Sequence, residues 1–186
     1  MKLWIVFADD TIVLFFNARG KLSLETIRLQ SVALGELEVP EDRIIAFERG
    51  IPGFESCLRY ALLDGEEDSP FYYMHSVDDP AVSFVVADPF YFFRDFECVL
   101  PDHVIAELEL KEPSDVTMLS LVIVSSNPVH SMINLLAPLV INRQTRRGLQ
   151  YVMHDSAYGV RVPLFPAEPE LTREGEKDAG TFPQAE

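Results

Sequence analysis

Val82-Ser83-Phe84-Val85-Val86-Ala87-Asp88-Pro89 decides how this chain is read. Its first six residues are an apolar run rich in β-branched and aromatic side chains. Asp78-Asp79-Pro80 stands before it and Asp88-Pro89 ends it. Such a run between two turn signals is a strand. Working outward, the pattern repeats at short intervals. Upstream, strands are expected over residues 71–77, 60–63 and 43–47. Residues 35–39 alternate polar and apolar, the period of a half-buried strand. Downstream, residues 116–125 and 132–141 form longer strands, and 149–153 follows a turn at Arg146-Arg147-Gly148. Asp64-Gly65 and Asn127-Pro128 mark further turns.

Many short strands with regular turns predict a mainly β fold: an antiparallel β-barrel-like single domain, closed or nearly closed. Closure matters because open sheets leave unpaired edges. One or two short helices accompany it. The clearest is at residues 101–108, where Pro101 and Asp102 start the segment and Val104, Ile105 and Leu108 share a face.

The chain has 186 residues, enough for one substantial core. Its 15 Lys+Arg stand against 30 Asp+Glu, a net charge of -15. Residues 166–186 carry -4 and residues 1–23 carry +1, which leaves -12 on residues 24–165. The acidity therefore belongs to the predicted folded zone. It disfavours direct binding to nucleic acid and to anionic membrane, whose phosphates require Lys and Arg. Two readings remain: charge kept for solubility, or charge that steers in a basic protein.

Residues 166–186, rich in Pro, Glu, Gly and Ala, are expected to be a disordered acidic tail. The apolar start is broken by Asp9 and Asp10, and residues 11–16 are too short to span a bilayer, so neither secretion signal nor transmembrane helix is expected. Cys57 and Cys98 read as buried free thiols of a cytosolic protein, with a single bridge as the alternative.

No catalytic motif emerges. The chain lacks a Gly-rich phosphate loop and a Gly-x-Ser-x-Gly elbow. His75, His103, His130 and His154 lack metal-ligand spacing, and no Cys-x-x-Cys occurs. No enzyme activity, cofactor or metal is expected. The acids of Glu66-Glu67-Asp68 and Asp78-Asp79 read as solvated turn residues beside Gly65, Pro70 and Pro80.

Gly50-Ile51-Pro52-Gly53-Phe54 is more informative. Pro52 presets φ for the second position of a turn, and Gly53 supplies the positive φ that a type II turn needs next. The result is a rigid corner with Ile51 and Phe54 on either side. Ser69-Pro70-Phe71-Tyr72-Tyr73 and Asp88-Pro89-Phe90-Tyr91-Phe92-Phe93 hold seven aromatics, more than a small core needs. Part of them is expected to form an exposed partner-binding patch.

Taken in order, these segments resemble the flagellar assembly factor FliW family. The resemblance rests on Gly35-Glu36-Leu37-Glu38-Val39-Pro40, Ile44-Ile45-Ala46-Phe47, the corner at residues 50–54, and Asp68-Ser69-Pro70-Phe71-Tyr72. It continues through Ser76-Val77-Asp78-Asp79-Pro80, residues 84–90, Asn134 to Asn142, and Thr145-Arg146-Arg147-Gly148. It covers residues 25 to 165.

The resemblance implies a β-barrel-like fold without enzymatic activity and two protein partners. One is CsrA, a basic dimeric translational repressor that binds RNA. The other is flagellin. In the family's logic, accumulated flagellin occupies FliW and leaves CsrA free to repress flagellin translation; flagellin secretion frees FliW to sequester CsrA. A general cytoplasmic chaperone for flagellar or secreted export clients is the alternative. Ile51, Phe54, Phe71, Tyr72, Phe90, Asn134 and Asn142 are the expected protein-binding residues. A hydrophobic groove or edge strand near Phe71 and Phe90 suits flagellin's terminal segments. Residues 1–23 have no counterpart in the family pattern. They form either an extra strand pair around Asp9-Asp10 or the product of a misassigned start near Leu22 or Leu24.

Overall fold

A computed structural model describes residues 26–165, apart from residues 33–34 and 67–68. The expectations for the N-terminal extension and the acidic tail lie outside the described residues, as do Glu67 and Asp68.

A hairpin of β1 (Thr26–Ser31) and β2 (Gly35–Pro40) forms a small sheet of its own. The main sheet comprises β3 (Ile44–Ala46), β4 (Arg59–Asp64), β5 (Phe71–Ser76), β6 (Ser83–Ala87), β7 (Val116–Ile123), β8 (Met132–Ile133), β9 (Leu139–Asn142), β10 (Gly148–Gln150) and β11 (Val162–Pro163). Its central order is β10-β9-β7-β6-β5-β4-β3, with β8 beside β7 and β11 beside β8. Every strand pair is antiparallel. Two short helices, α1 (Pro89–Phe92) and α2 (Asp102–Glu107), lie between β6 and β7.

The mainly β, antiparallel, barrel-like expectation holds; of the two readings, closed or nearly closed, full closure is corrected. The two ends of the sheet meet at one parallel bridge, where the Ala46 N–H donates to the Arg146 carbonyl at 2.8 Å. β3 and β10 are three residues each, too short to build a closing ladder. The sheet is curled rather than closed.

Period-two alternation on β7 sorts the core into two layers. Leu119 and Leu121 face Ile45, Phe47, Tyr60, Met74 and Val86 inside the curl. Met118 and Val122 face the opposite layer with Phe96, Ile133 and Leu164. The hairpin covers Ala61 with Leu29 and Val39, and α2 sets Val104 and Leu108 against Val140.

The strand expected over residues 132–141 is broken in two. Both halves pair with β7: Met132 and Ile133 opposite Ile123 and Val122, and residues 139–142 opposite residues 119–116. Between them the chain bulges away. There Leu135 and Leu136 N–H groups donate to the Gly159 carbonyl, and Asn134 Oδ1 accepts from Ala137 N at 3.0 Å.

Asp78 is also corrected. Its carboxylate accepts from the Leu58 and Arg59 N–H groups at 2.8 and 2.9 Å and from the Arg59 guanidinium at 2.9 and 3.2 Å. Burial opposes its ionisation, but the Arg59 guanidinium and those two amides outweigh burial and hold its pKa below the ordinary aspartate value. It therefore ties the β5–β6 turn to the start of β4. Asp79 does act as a turn residue, accepting from the Ala81 N–H at 2.9 Å. Cys57 is buried and Cys98 half-buried, both as free thiols.

His75 is buried in β5 with Nδ1 3.3 Å from Ser31 Oγ, and burial holds its imidazole below the ordinary range. In the unfolded chain it titrates at about 6.5. Below that pH the unfolded state binds more protons, so stability falls with pH until the folded imidazole protonates. The urea midpoint is expected to be lower at pH 5.5 than at pH 7.5, and His75→Asn should flatten the difference. Equal wild-type midpoints would contradict the buried neutral imidazole.

Candidate protein-binding surface

The corner at residues 50–54 is built as its residue types require. The Phe54 N–H donates to the Ile51 carbonyl at 2.7 Å, and Gly53 adopts a φ of 88°, the third position of a type II turn. Gly50 has a φ of 68°, and a Cβ there would stand 2.6 Å from Glu55 Cα. The Glu55 carboxylate accepts from the Gly53 N–H at 2.8 Å, and hydrogen bonds from the Gly53 and Glu55 amides lower its pKa. Arg49 contacts Glu107 of α2, and Arg147 bridges Glu48 and Glu109 at 2.7 and 2.9 Å. Corner, α2 and the turn before β10 thus form one unit around a cleft of about 270 Å³ lined by Arg49, Pro52, His103 and Tyr151.

Asn142 organises that unit from within. It is 1% exposed; its Nδ2 donates to the Leu108 carbonyl at 2.7 Å and its Oδ1 accepts from the Gln144 and Thr145 N–H groups. Ile51 is likewise 1% exposed. Neither side chain offers surface to a partner, because each is consumed by internal packing or hydrogen bonds. Phe54 is exposed on one side and packs edge-on against Phe84 at 4.9 Å. Asn134 is half-buried within the bulge between β8 and β9.

Tyr72 and Phe90 are brought together. They line a second cleft of about 280 Å³ with Asp88, residues 116–119 and Arg143. The Asp88 carboxylate caps α1 by accepting from the Phe90 N–H at 2.9 Å, which turns the chain out of β6. Phe71 packs on Phe92 at 5.5 Å, and Phe92 meets Phe165 at 6.0 Å. Phe90 and Tyr91 stay 46% and 65% exposed. Part of the aromatic segment is therefore surface, beside a cleft that Arg143 borders while donating to Thr117 Oγ1 at 2.6 Å.

Among the described residues, no group of three or more His, Cys, Asp or Glu could hold a metal ion, and no helix is long and apolar enough to cross a membrane. At least five arginines, at positions 28, 43, 49, 59 and 147, are committed to ion pairs within the chain.

These placements separate internal from external roles. Ile51→Ala should cost about 2–5 kcal/mol by leaving a core cavity. Gly50→Ala should cost about 1–3 kcal/mol through backbone strain. Phe90→Ser and Tyr91→Ser should each stay within about 1 kcal/mol of wild type. Urea unfolding checks all four; a Tyr91→Ser loss as large as that of Ile51→Ala would contradict the exposed patch.

Residues 28–164 match the family described as FliW protein. The flagellar assembly factor FliW of Natranaerobius thermophilus is 40% identical over 140 residues, covering 75% of this chain and 93% of the relative. That of Caldicellulosiruptor bescii is 39% identical over 137 residues, covering 74% and 90%. A crystal structure of the flagellar assembly factor FliW superposes with a TM-score of 0.72 at 32% identity, covering 77% of this chain and all of that one. The curled sheet and its corner are thus those of a known fold, and this chain belongs to the FliW family of flagellar assembly factors.

Proposed function

We propose that this protein is a cytoplasmic, non-catalytic regulator of flagellar assembly that binds two proteins in alternation, CsrA and flagellin. When free of flagellin it captures CsrA and relieves repression of flagellin translation. When flagellin accumulates, flagellin occupies it and releases CsrA. Family membership supports the flagellar role. The observation that carries the partner reading is the net charge of -12 on residues 24–165, together with the internal commitment of half of that zone's ten basic residues. A field of that sign steers in a basic RNA-binding protein and repels the RNA it would otherwise hold.

Titration calorimetry of the full chain against the organism's CsrA, repeated with flagellin present, tests the proposal. The expected result is tight binding to CsrA that flagellin abolishes. Absence of heat with either protein would overturn it and favour a chaperone for export clients, recognisable by weak binding to several unrelated apolar proteins.

A further inference from the structure

β6 and β7 pair over three positions only: Val85 with Val122, Val86 with Leu121 and Ala87 with Ser120. Continuing that register would set Pro89 opposite Met118. Proline has no N–H to donate, and the Asp88 carboxylate has already bent the chain into α1 by accepting from the Phe90 N–H. Beyond Ala87, β6 therefore leaves the sheet while β7 runs on.

The direction of the β7 backbone groups follows from two bonds. The Leu121 carbonyl accepts from Asn134 N at 2.9 Å, and the Asp115 carbonyl accepts from Arg143 N at 2.8 Å. Odd-numbered positions thus point toward β8 and β9. Even-numbered ones point the other way. Ser120 and Val122 meet β6 there. Met118, in the half of β7 that β6 has left, has no strand partner on that side among the described residues. The cleft of about 280 Å³ lined by Tyr72, Asp88, Phe90 and residues 116–119 lies along this edge. The fold has left a slot beside a stretch of β7 that lacks a strand partner among the described residues.

Other edges differ: β11 ends in Pro163, β1 and β2 carry the exposed Arg28–Glu38 pair, and Ala46 of β3 is bridged to Arg147 just before β10. The slot is different: Tyr72 and Phe90 border it.

We infer that the β7 edge at Met118 is a strand-addition site for an extended segment of a basic protein partner, with apolar residues at alternate positions against Tyr72 and Phe90. Charge selects this occupant. At the slot Asp88 and Arg143 offset each other, so the net charge of -12 on residues 24–165 decides at longer range. The same charge opposes a second copy of this chain. Backbone hydrogen bonds supply affinity and Tyr72 and Phe90 supply side-chain selection, the usual division in strand addition. The inference rests on the partner reading above.

Amide hydrogen exchange of the full-length isotope-labelled protein, followed residue by residue by NMR, tests it without a destabilising variant. Saturating CsrA, the basic partner, should slow exchange at the Met118 amide by roughly tenfold or more while leaving Thr117, already paired to β9, unchanged. CsrA binding without protection at Met118 would overturn strand addition and leave the partner reading standing. Protection by flagellin but not by CsrA would overturn the basic occupant. Failure of both proteins to bind would overturn the partner reading and this inference with it.

Discussion

β7 is the strand on which the molecule is registered. It pairs with β6 on one side and with β8 and β9 on the other, so slipping it by one residue would exchange both core layers at once. Leu119 and Leu121 face inside the curl, while Met118 and Val122 face the layer beneath α1 and the C-terminal segment. Because both layers are apolar, the strand shows an almost continuous hydrophobic run, VTMLSLVI. Its one buried polar residue, Ser120, sits opposite Ala87, at the last β6 position before the chain departs.

From that registration the surface follows. Pro89 ends β6, the Asp88 cap swings Phe90 and Tyr91 outward, and the edge of β7 is left beside Tyr72. Around the end of α2, Asn142 and the Arg49–Glu107 and Arg147–Glu109 contacts lock the corner, α2 and the last hairpin together. Most of that region's polar groups find their partners within the chain, although Arg147 Nε is buried without one. The ion pairs are mostly exposed and contribute little stability singly, about 0–1 kcal/mol each. Their larger consequence is electrostatic: five of the ten basic residues in 24–165 are held within the chain, and the excess of acids sets the field.

Much of this was legible in the sequence because turn chemistry and alternation are local. The strand over residues 82–87 ends at Asp88-Pro89 as read, and the type II turn at Pro52-Gly53 has the geometry those two residues require. α2 begins after Pro101 as its spacing implied. What was not legible depends on contacts distant in sequence. Nothing local says that Asp78 will find the amides of Leu58 and Arg59 and become an anchor rather than a solvated turn acid. Nothing local shows that Asn142 will turn inward to the end of α2, or that residues 134–138 will leave the strand to meet Gly159. β11 is two residues long and carries a proline, so no periodicity announces it. Of the expected contact residues, Tyr72 and Phe90 share a cleft because β5 and α1 flank the same gap, which only the sheet order reveals.

The central claim is that an acidic folded domain captures a basic protein. The association rate of the full chain with CsrA, measured by stopped flow across a range of salt concentrations, tests it most directly. Electrostatic capture predicts a rate that falls steeply as salt rises, with the dissociation rate changing far less. An association rate indifferent to salt would contradict the account, and the charge on residues 24–165 would then serve solubility alone.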